Sequence, residues 1–166
     1  MTAADFEKQP REPYRFDWWV GNKRVQTPLG FFSVELHMLG DADTNPPDDE
    51  MLKHASELMR YAEGHGSYIL DIVFGSYLFA AEDPEWLEAT RIPRGLGRDR
   101  IADYVREDRT LVVSRHLDWD ELYSSAIHVV PLWDEEHALT LDFRNGAVVA
   151  VNDSDFKLEA GVLRCS

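Results

Sequence analysis

The sequence predicts an α+β fold, in which an antiparallel sheet of about six to seven strands carries about two to three helices on one face. Two stretches, before residue 40 and after residue 110, alternate apolar and polar side chains with the period of a β-strand. The region between them carries apolar residues at helical spacing. The resulting order is β-β-β-α-α-α-β-β-β-β, and runs of strands around a run of helices are typical of this class.

The 166 residues are most simply one domain, with 44% hydrophobic residues to supply its core. Residues 1–13 are polar and contain a proline, so we expect a flexible arm. Residues 14–153 form the predicted domain, and residues 154–166 are expected to be a tail that is weakly stranded or disordered. The N-terminus shows no apolar leader and the lone Cys165 has no intrachain partner, which together predict a cytoplasmic protein.

Three strands at the start of the domain are predicted to form a meander. Alternating side chains mark them at residues 14–20, 23–27 and 32–38. Gly21 and Asn22 suit a two-residue type II′ turn between the first two strands. Trp18 and Trp19 then point to opposite faces of the sheet, so one lies in the core and the other, if exposed, marks an interface.

Helices are predicted for the middle of the chain. Apolar spacing indicates a helix over residues 51–62 that ends at Gly64 and Gly66. Ser67 suits the start of a second helix that reaches about residue 81. This second helix is apolar nearly all round and is therefore expected to be buried, with a buried strand pair around Gly75 as the alternative. Shorter helical segments are predicted near residues 83–86 and 98–107.

The chain closes with a predicted hairpin, preceded by strands at residues 110–113 and from residue 126 onward. The hairpin turn is Asn145-Gly146, which suits type I′ because both central residues need a positive φ. Alternation along the first strand and the two-residue turn predict the cross-strand pairs Phe143–Val148, Leu141–Ala150 and Leu139–Asn152.

Charge excludes some classes of partner. With 31 acidic and 17 basic residues, the chain has a formal net charge of -14. Such a field repels nucleic acids and anionic membrane surfaces, but it attracts a basic protein and raises its association rate. We therefore expect a basic protein partner, with an acidic surface that only aids solubility as the alternative. The sequence leaves the oligomeric state open.

The first candidate site is the run Trp133, Asp134, Glu135, Glu136 and His137. Carboxylates and an imidazole can bind a metal or transfer protons. In an extended chain, however, adjacent side chains point to opposite faces, and the order differs from the helical His-Glu-x-x-His metal motif. We therefore predict binding residues here, but no catalytic set, metal site or cofactor. The structural alternative puts Trp133 in the core and gives His137 a hydrogen bond to a nearby carboxylate or carbonyl.

The second candidate site is the run Asp118, Trp119, Asp120 and Glu121. An exposed tryptophan can anchor a protein partner, and the carboxylates around it would select a basic one. The alternative is a solvated loop in which Trp119 packs onto the sheet.

A resemblance to a family rests on the first of these runs. Trp133-Asp-Glu-Glu-His-Ala-Leu139, followed by Phe143, Asn145-Gly146 and Val149, resembles the W-D-x-E-H-G-L segment of a group of uncharacterised bacterial domains of unknown function. The order of strands, helices and hairpin is similar over most of residues 14–152. Ala138 stands where that pattern has glycine, which puts a tight backbone role there in doubt. Because members of such families are uncharacterised, the resemblance implies a fold and no known activity. Some members resemble toxin-immunity proteins.

Three functions follow as hypotheses. The first is a non-enzymatic acidic protein-binding module, for example an immunity-type inhibitor that engages a basic toxin through its acidic loops. The second is a metal-assisted hydrolase that uses Glu135, Glu136 and His137. The third is a homo-oligomeric structural protein that dimerises through Trp18 or Trp19.

Overall fold

The computed structural model of the protein describes residues 1–10, 16–39, 46–116, 122–134, 138–152, 156–159 and 162–165. Its strands are β1 (Phe6–Lys8), β2 (Asp17–Gly21), β3 (Val25–Thr27), β4 (Gly30–Leu39), β5 (Thr110–His116), β6 (Tyr123–Val129), β7 (Leu139–Arg144), β8 (Ala147–Asn152), β9 (Phe156–Glu159) and β10 (Val162–Cys165). Its α-helices are α1 (Asp49–Ala80) and α2 (Pro84–Thr90), and its 3-10 helices are Ala3–Asp5 and Arg98–Tyr104. The predicted α+β class is confirmed.

Strands β1 to β8 form one sheet in the order β1-β2-β4-β5-β6-β7-β8, with β3 also paired to β4. The pairings are antiparallel except that of β4 with β5, which is parallel. A parallel pair needs a long crossover connection, and α1 and α2 lie within it. α1 packs on the sheet through contacts with β3, β4, β5 and β6. The sheet therefore has eight strands rather than six or seven, and one of its pairings is parallel where an antiparallel sheet was predicted.

Of the two pairings in the predicted meander, that of β3 with β4 is confirmed and that of β2 with β3 is wrong. β2 and β3 do not pair with each other; both pair with β4, β2 along its second half and β3 along its first residues. This is possible because β4 is ten residues long, which is more than either partner strand can cover. Gly21 lacks the positive φ that a type II′ turn requires, and it lies instead close to Phe6 and Val34.

Part of the expected N-terminal arm belongs to the sheet. Residues 6–8 form β1, which pairs antiparallel with β2. Phe6 is buried in the core, and Lys8 Nζ lies 2.9 Å from the carboxylate of the buried Asp17. In the expected C-terminal tail, β9 and β10 pair with each other. The polar composition of residues 1–13 did not predict the pairing of β1, because the strand is fixed by tertiary contacts.

The two central helices that the sequence predicts are one kinked helix. Within α1 only His65 departs from helical geometry, with φ -123° and ψ 21°. The kink thus falls between Gly64 and Gly66, where the break was predicted. Neither glycine adopts the positive φ that usually ends a helix, so the chain continues as a helix. The His65 ring stacks on Tyr61, one turn earlier, with centroids 4.3 Å apart.

Only one flank of the second half of α1 is buried. Ile69, Val73 and Tyr77 are fully buried, whereas Leu78 is 50% exposed. The expectation of burial all round is therefore wrong, because the helix has the sheet on one side only. No helix in the described ranges is long and apolar enough to cross a bilayer.

The closing hairpin has the predicted turn and a partly different register. Asn145 and Gly146 have φ values of 51° and 82°, as type I′ requires. Phe143 pairs with Val148 as predicted, but an irregularity between Asp142 and Phe143 moves the partner of Leu141 to Val151 instead of Ala150. A β-bulge inserts one extra residue into a strand, which turn chemistry alone cannot predict.

Gly30→Ala is expected to lower the free energy of unfolding by about 1–3 kcal/mol, because φ at this position is strained for any other residue. Gly30 has φ 110°, and a Cβ there would lie 2.8 Å from Nη1 of Arg109. Arg109 is buried and its Nη2 donates to the carbonyls of Val105 and Ala102, so it cannot easily move. Urea unfolding measures the effect. Gly95→Ala is the control, since Gly95 has φ 73° but open space around it; an equal loss there would show that the contact with Arg109 is irrelevant.

Candidate functional site

A concave region of 1210 Å³ is lined by α1 and by residues on both faces of strands β5, β6 and β7. Its helix wall consists of polar and aromatic residues at helical spacing: Glu50, Lys53, His54, Glu57, Arg60, Tyr61 and His65. Its strand wall draws on both faces of the sheet. Ser125 and Phe143 belong to the face that α1 covers, and His128 and Asp142 belong to the opposite face. We name this region the α1 cleft, and the sheet separates its helix side, next to α1, from its sheet-face side.

A polar network on the helix side joins the start of α1 to β5 and β6. Asp48 caps α1 by accepting from the backbone N–H of Met51 at 2.9 Å. The other oxygen of Asp48 accepts from the Tyr123 hydroxyl at 2.9 Å and lies 3.3 Å from Nη1 of Arg115. Burial, and then the hydrogen bond to Asp48, raise the pKa of Tyr123. The network therefore fixes the N-terminal end of the helix wall to the sheet.

His54 lies beside this network, between a serine and a glutamate. Its Nδ1 is 3.4 Å from Ser125 Oγ, its Nε2 is 3.7 Å from Glu50 Oε1, and its ring stacks on Tyr123. Serine, histidine and glutamate are the residue types of a nucleophile, a base and an orienting acid. Both distances, however, exceed the range of about 2.6–3.2 Å for hydrogen bonds between such catalytic groups. Ser125 is also only 6% exposed. In this structure, His54 is therefore in contact with Ser125 and Glu50 without the short hydrogen bonds of an activated nucleophile.

The sheet-face side is lined by small and polar side chains. Asp142 lies between Ala126 on β6 and Ala150 on β8, so its flanking residues are small. His128 is paired across the strands with Thr140. These positions alternate with the core residues of the same strands, as the period of a β-strand requires. The result is a polar floor on the side of the sheet that α1 does not cover.

His128 is held in its neutral form. Burial lowers its pKa below the ordinary value, and the neighbouring His37 lowers it further, while Glu35 and Asp142 oppose the shift. On β4, His37 Nε2 lies 2.9 Å from Glu35 Oε2. Toward the ends of β5 and β6, His116 Nε2 lies 2.7 Å from Ser124 Oγ. The sheet-face side can therefore both donate and accept hydrogen bonds.

Lowering the pH from 7.5 to 5.0 should destabilise the parent protein more steeply than His128→Gln. The pKa of His128 is lower in the folded chain than its ordinary value of 6.5, so the unfolded chain takes up the proton first. Stability contributed by neutral His128 is therefore present above that value and is lost as the pH falls through and below it. Thermal unfolding by circular dichroism at several pH values measures this. Curves of equal slope for parent and variant would contradict it, and His54→Gln is the control at a less buried position.

Of the sequence-predicted site residues, the structure describes Trp133 and Asp134. Trp133 is 1% exposed and donates from Nε1 to Ser76 Oγ of α1 at 3.1 Å. It therefore lies in the core and is not available to a partner, so its assignment as a binding residue is corrected. Asp134 is half-buried and its backbone N–H donates to the carbonyl of Pro131 at 3.2 Å.

The other predicted site residues lie outside the described residues: Asp118, Trp119, Asp120, Glu121, Glu135, Glu136 and His137. Their predicted roles, including the structural hydrogen bond of His137, stay predictions. Within the described ranges, no group of three or more histidine, cysteine, aspartate or glutamate side chains is placed to hold a metal ion. The α1 cleft was not predicted, because it joins residues far apart in sequence.

Comparisons with known proteins give the fold no named counterpart. No family model, no curated protein and no solved structure matches the chain. The sheet and helices alone define the class of the protein, which is α+β. The resemblance based on the Trp133–His137 run stays a prediction.

Proposed function

We propose that the chain is a non-enzymatic protein-binding module whose α1 cleft receives part of a basic partner protein. The observation that carries this proposal is the lining of the helix side, where aromatic side chains lie beside carboxylates of α1. Tyr61, Tyr123 and Phe143 line it, and aromatic residues are enriched in protein interfaces.

The net charge of -14 supports a basic partner, because long-range attraction raises the rate of encounter. The resemblance described above adds a more specific role, that of an immunity-type inhibitor of a basic toxin. The lone cysteine supports a reducing compartment, and a cytoplasmic location is part of the proposal.

Site-specific photo-crosslinking tests the proposal. A benzophenone amino acid replaces Glu57, which lines the cleft, or Glu82, which follows the far end of α1. Both substitutions remove one negative charge, so they are matched. We expect adducts with one basic protein from the Glu57 position and not from the Glu82 position, and their yield should fall steeply when salt is raised.

Equal adducts at both positions would indicate nonspecific attraction to an acidic surface and would contradict the proposal. The absence of adducts at Glu57 in lysate of the source cell would also count against it.

The two other hypotheses gain no support. The residues of a metal-assisted hydrolase, Glu135, Glu136 and His137, lie outside the described residues. For dimerisation through tryptophan, Trp19 is buried in the core, and Trp18 is half-buried with its indole N–H donated to the carbonyl of Pro10 at 2.8 Å. Neither ring is an exposed anchor.

A further inference from the structure

A second concave region lies at the rim of the sheet, where three strands begin. It has a volume of 570 Å³ and is lined by Arg24, Gly30, Phe31, Ser33, Glu107, Asp108 and Arg109. Arg24 directly precedes β3, Gly30 is the first residue of β4, and residues 107–109 directly precede β5. None of these residues lines the α1 cleft. We name this region the rim groove, and it is separate from the site of the proposed function.

Arg109 is a buried cation with hydrogen-bond donors to spare. The residue is 8% exposed, and the hydrogen bonds of its guanidinium are both donated by Nη2, to the carbonyls of Val105 and Ala102. Its Nε is shut off from solvent and has no acceptor. Among the described residues Nη1 has no acceptor either, but unlike Nε it is not shut off from solvent. Because buried charges are normally paired, Nη1 is suited to an acceptor from outside the chain.

Gly30 keeps the space beside Nη1 open. A Cβ on this residue would lie 2.8 Å from Nη1 of Arg109, a distance that real Cβ atoms do not show. Its φ of 110° also belongs to the region that favours glycine. Gly30 and Arg109 both line the rim groove, so Nη1 lies next to the space that a ligand would fill.

The charges of the lining favour a ligand with one negative charge. Exposed Arg24 adds a second positive charge to that of Arg109. Of the two acidic residues, Asp108 is paired with Arg106 at 2.9 Å, whereas Glu107 forms no ion pair in the described part of the chain. Burial lowers the pKa of Arg109 and the two carboxylates oppose this shift, but a guanidinium stays charged. One negative charge is therefore attracted to the arginines, and a second would be repelled by the carboxylates.

We propose that the rim groove binds a small organic monocarboxylate, whose carboxylate accepts from Nη1 of Arg109 and whose apolar part lies on Phe31. The Phe31 side chain is 55% exposed and lines the groove, so it is available to an apolar group. The volume of 570 Å³ lies within the range of about 300–1,000 Å³ that is usual for small-molecule sites. A hydrogen bond from a guanidinium to a carboxylate is charge-assisted and therefore stronger than a neutral one.

NMR titration of the full chain with phenylpropionate tests the proposal. The side-chain N–H signals of Arg109 report contact at the guanidinium, and the ring signals of Phe31 report contact with the apolar part. We expect both to shift saturably, with a dissociation constant of about 1 mM or below. Phenylpropionamide has the same shape without the charge, and phosphate carries more negative charge near neutral pH. Each should bind at least about tenfold more weakly.

Two variants locate the site. Gly30→Ala places a methyl group against Nη1 and should abolish the saturable shift, under conditions where its amide spectrum shows a folded chain. Arg24→Gln removes the exposed positive charge and should weaken binding about twofold to fivefold. Arg60→Gln is the matched control, because it removes an exposed positive charge on α1, outside the rim groove, and should leave binding unchanged.

Four results would overturn the proposal. The first is the absence of a saturable shift at Arg109, since the hydrogen bonds to Val105 and Ala102 would then be its whole role. Equal binding of phenylpropionamide would exclude the guanidinium as the anchor, and equal binding of phosphate would exclude a monocarboxylate as the ligand class. Equal weakening in Arg24→Gln and Arg60→Gln would indicate attraction by overall charge alone. The proposed protein-binding function concerns other residues and does not depend on these results.

Discussion

Trp133→Ala is expected to lower the free energy of unfolding by about 3–5 kcal/mol, the range for a large aromatic side chain removed from a core. The ring is buried and contacts α1, where it meets Tyr77 edge-on with centroids 5.6 Å apart. The substitution leaves both a cavity and an unpaired Ser76 hydroxyl, which Trp133 Nε1 now contacts. Equilibrium urea unfolding, followed by circular dichroism, measures the loss.

Two further variants separate the causes. Trp133→Phe keeps most of the packing and removes the hydrogen bond to Ser76, so it should cost about 1–3 kcal/mol. Trp86→Ala on α2 is the control, because Trp86 is only half-buried and its loss should be clearly smaller. Equal losses for Trp86→Ala and Trp133→Ala would contradict the central place of Trp133 in the core.

Gly66→Ala and Gly64→Ala should change stability in opposite directions. A Cβ at Gly66 would lie 2.7 Å from Pro28 Cδ and 3.1 Å from Thr27 Cβ, so α1 would have to move away from β3. Such overpacking costs about 1–3 kcal/mol. At Gly64 nothing lies within 4 Å, and alanine is favoured over glycine in a helix by about 1 kcal/mol.

The test compares the free energies of unfolding of the two glycine variants. Each variant is compared with the parent by urea unfolding, and the difference between the two should reach about 2–4 kcal/mol. Because both substitutions add the same methyl group beside His65, unfolded-chain effects largely cancel. If both variants gained or both lost the same stability, the close approach of α1 to β3 would not limit residue 66.

Local patterns predicted local structure well. The alternation of residues 32–38 gave the buried positions of β4, and Asn145-Gly146 gave the turn between β7 and β8. What local patterns could not give was pairing between distant segments. Both β2 and β3 pair with β4. The residues between β2 and β3 do not indicate that these two strands pair with a third strand rather than with each other. The bulge after Asp142 likewise depends on packing rather than on the turn.

The candidate site was harder to predict than the fold. The sequence predicted sites at runs of adjacent charged residues, but adjacent side chains in an extended chain point to opposite faces and do not meet. The α1 cleft is built instead from residues at helical spacing, such as Glu50, His54 and Glu57, and from residues on both faces of β5, β6 and β7. One signal was present: the outward positions of β6 and β7 include His128 and Asp142, and they carry no large apolar side chain.

The parallel pairing of β4 with β5 also constrains the order of folding. The backbone N–H of Ser33 donates to the carbonyl of Arg109, 76 residues further along the chain. During synthesis, β2, β3 and β4 leave the ribosome long before β5 exists, so the edge of β4 that will receive β5 stays unpaired while α1 and α2 are made. Contacts of such long separation slow folding into the range of about milliseconds to seconds. Until β5 arrives, that open edge is the part of the nascent chain most exposed to wrong pairing with other chains.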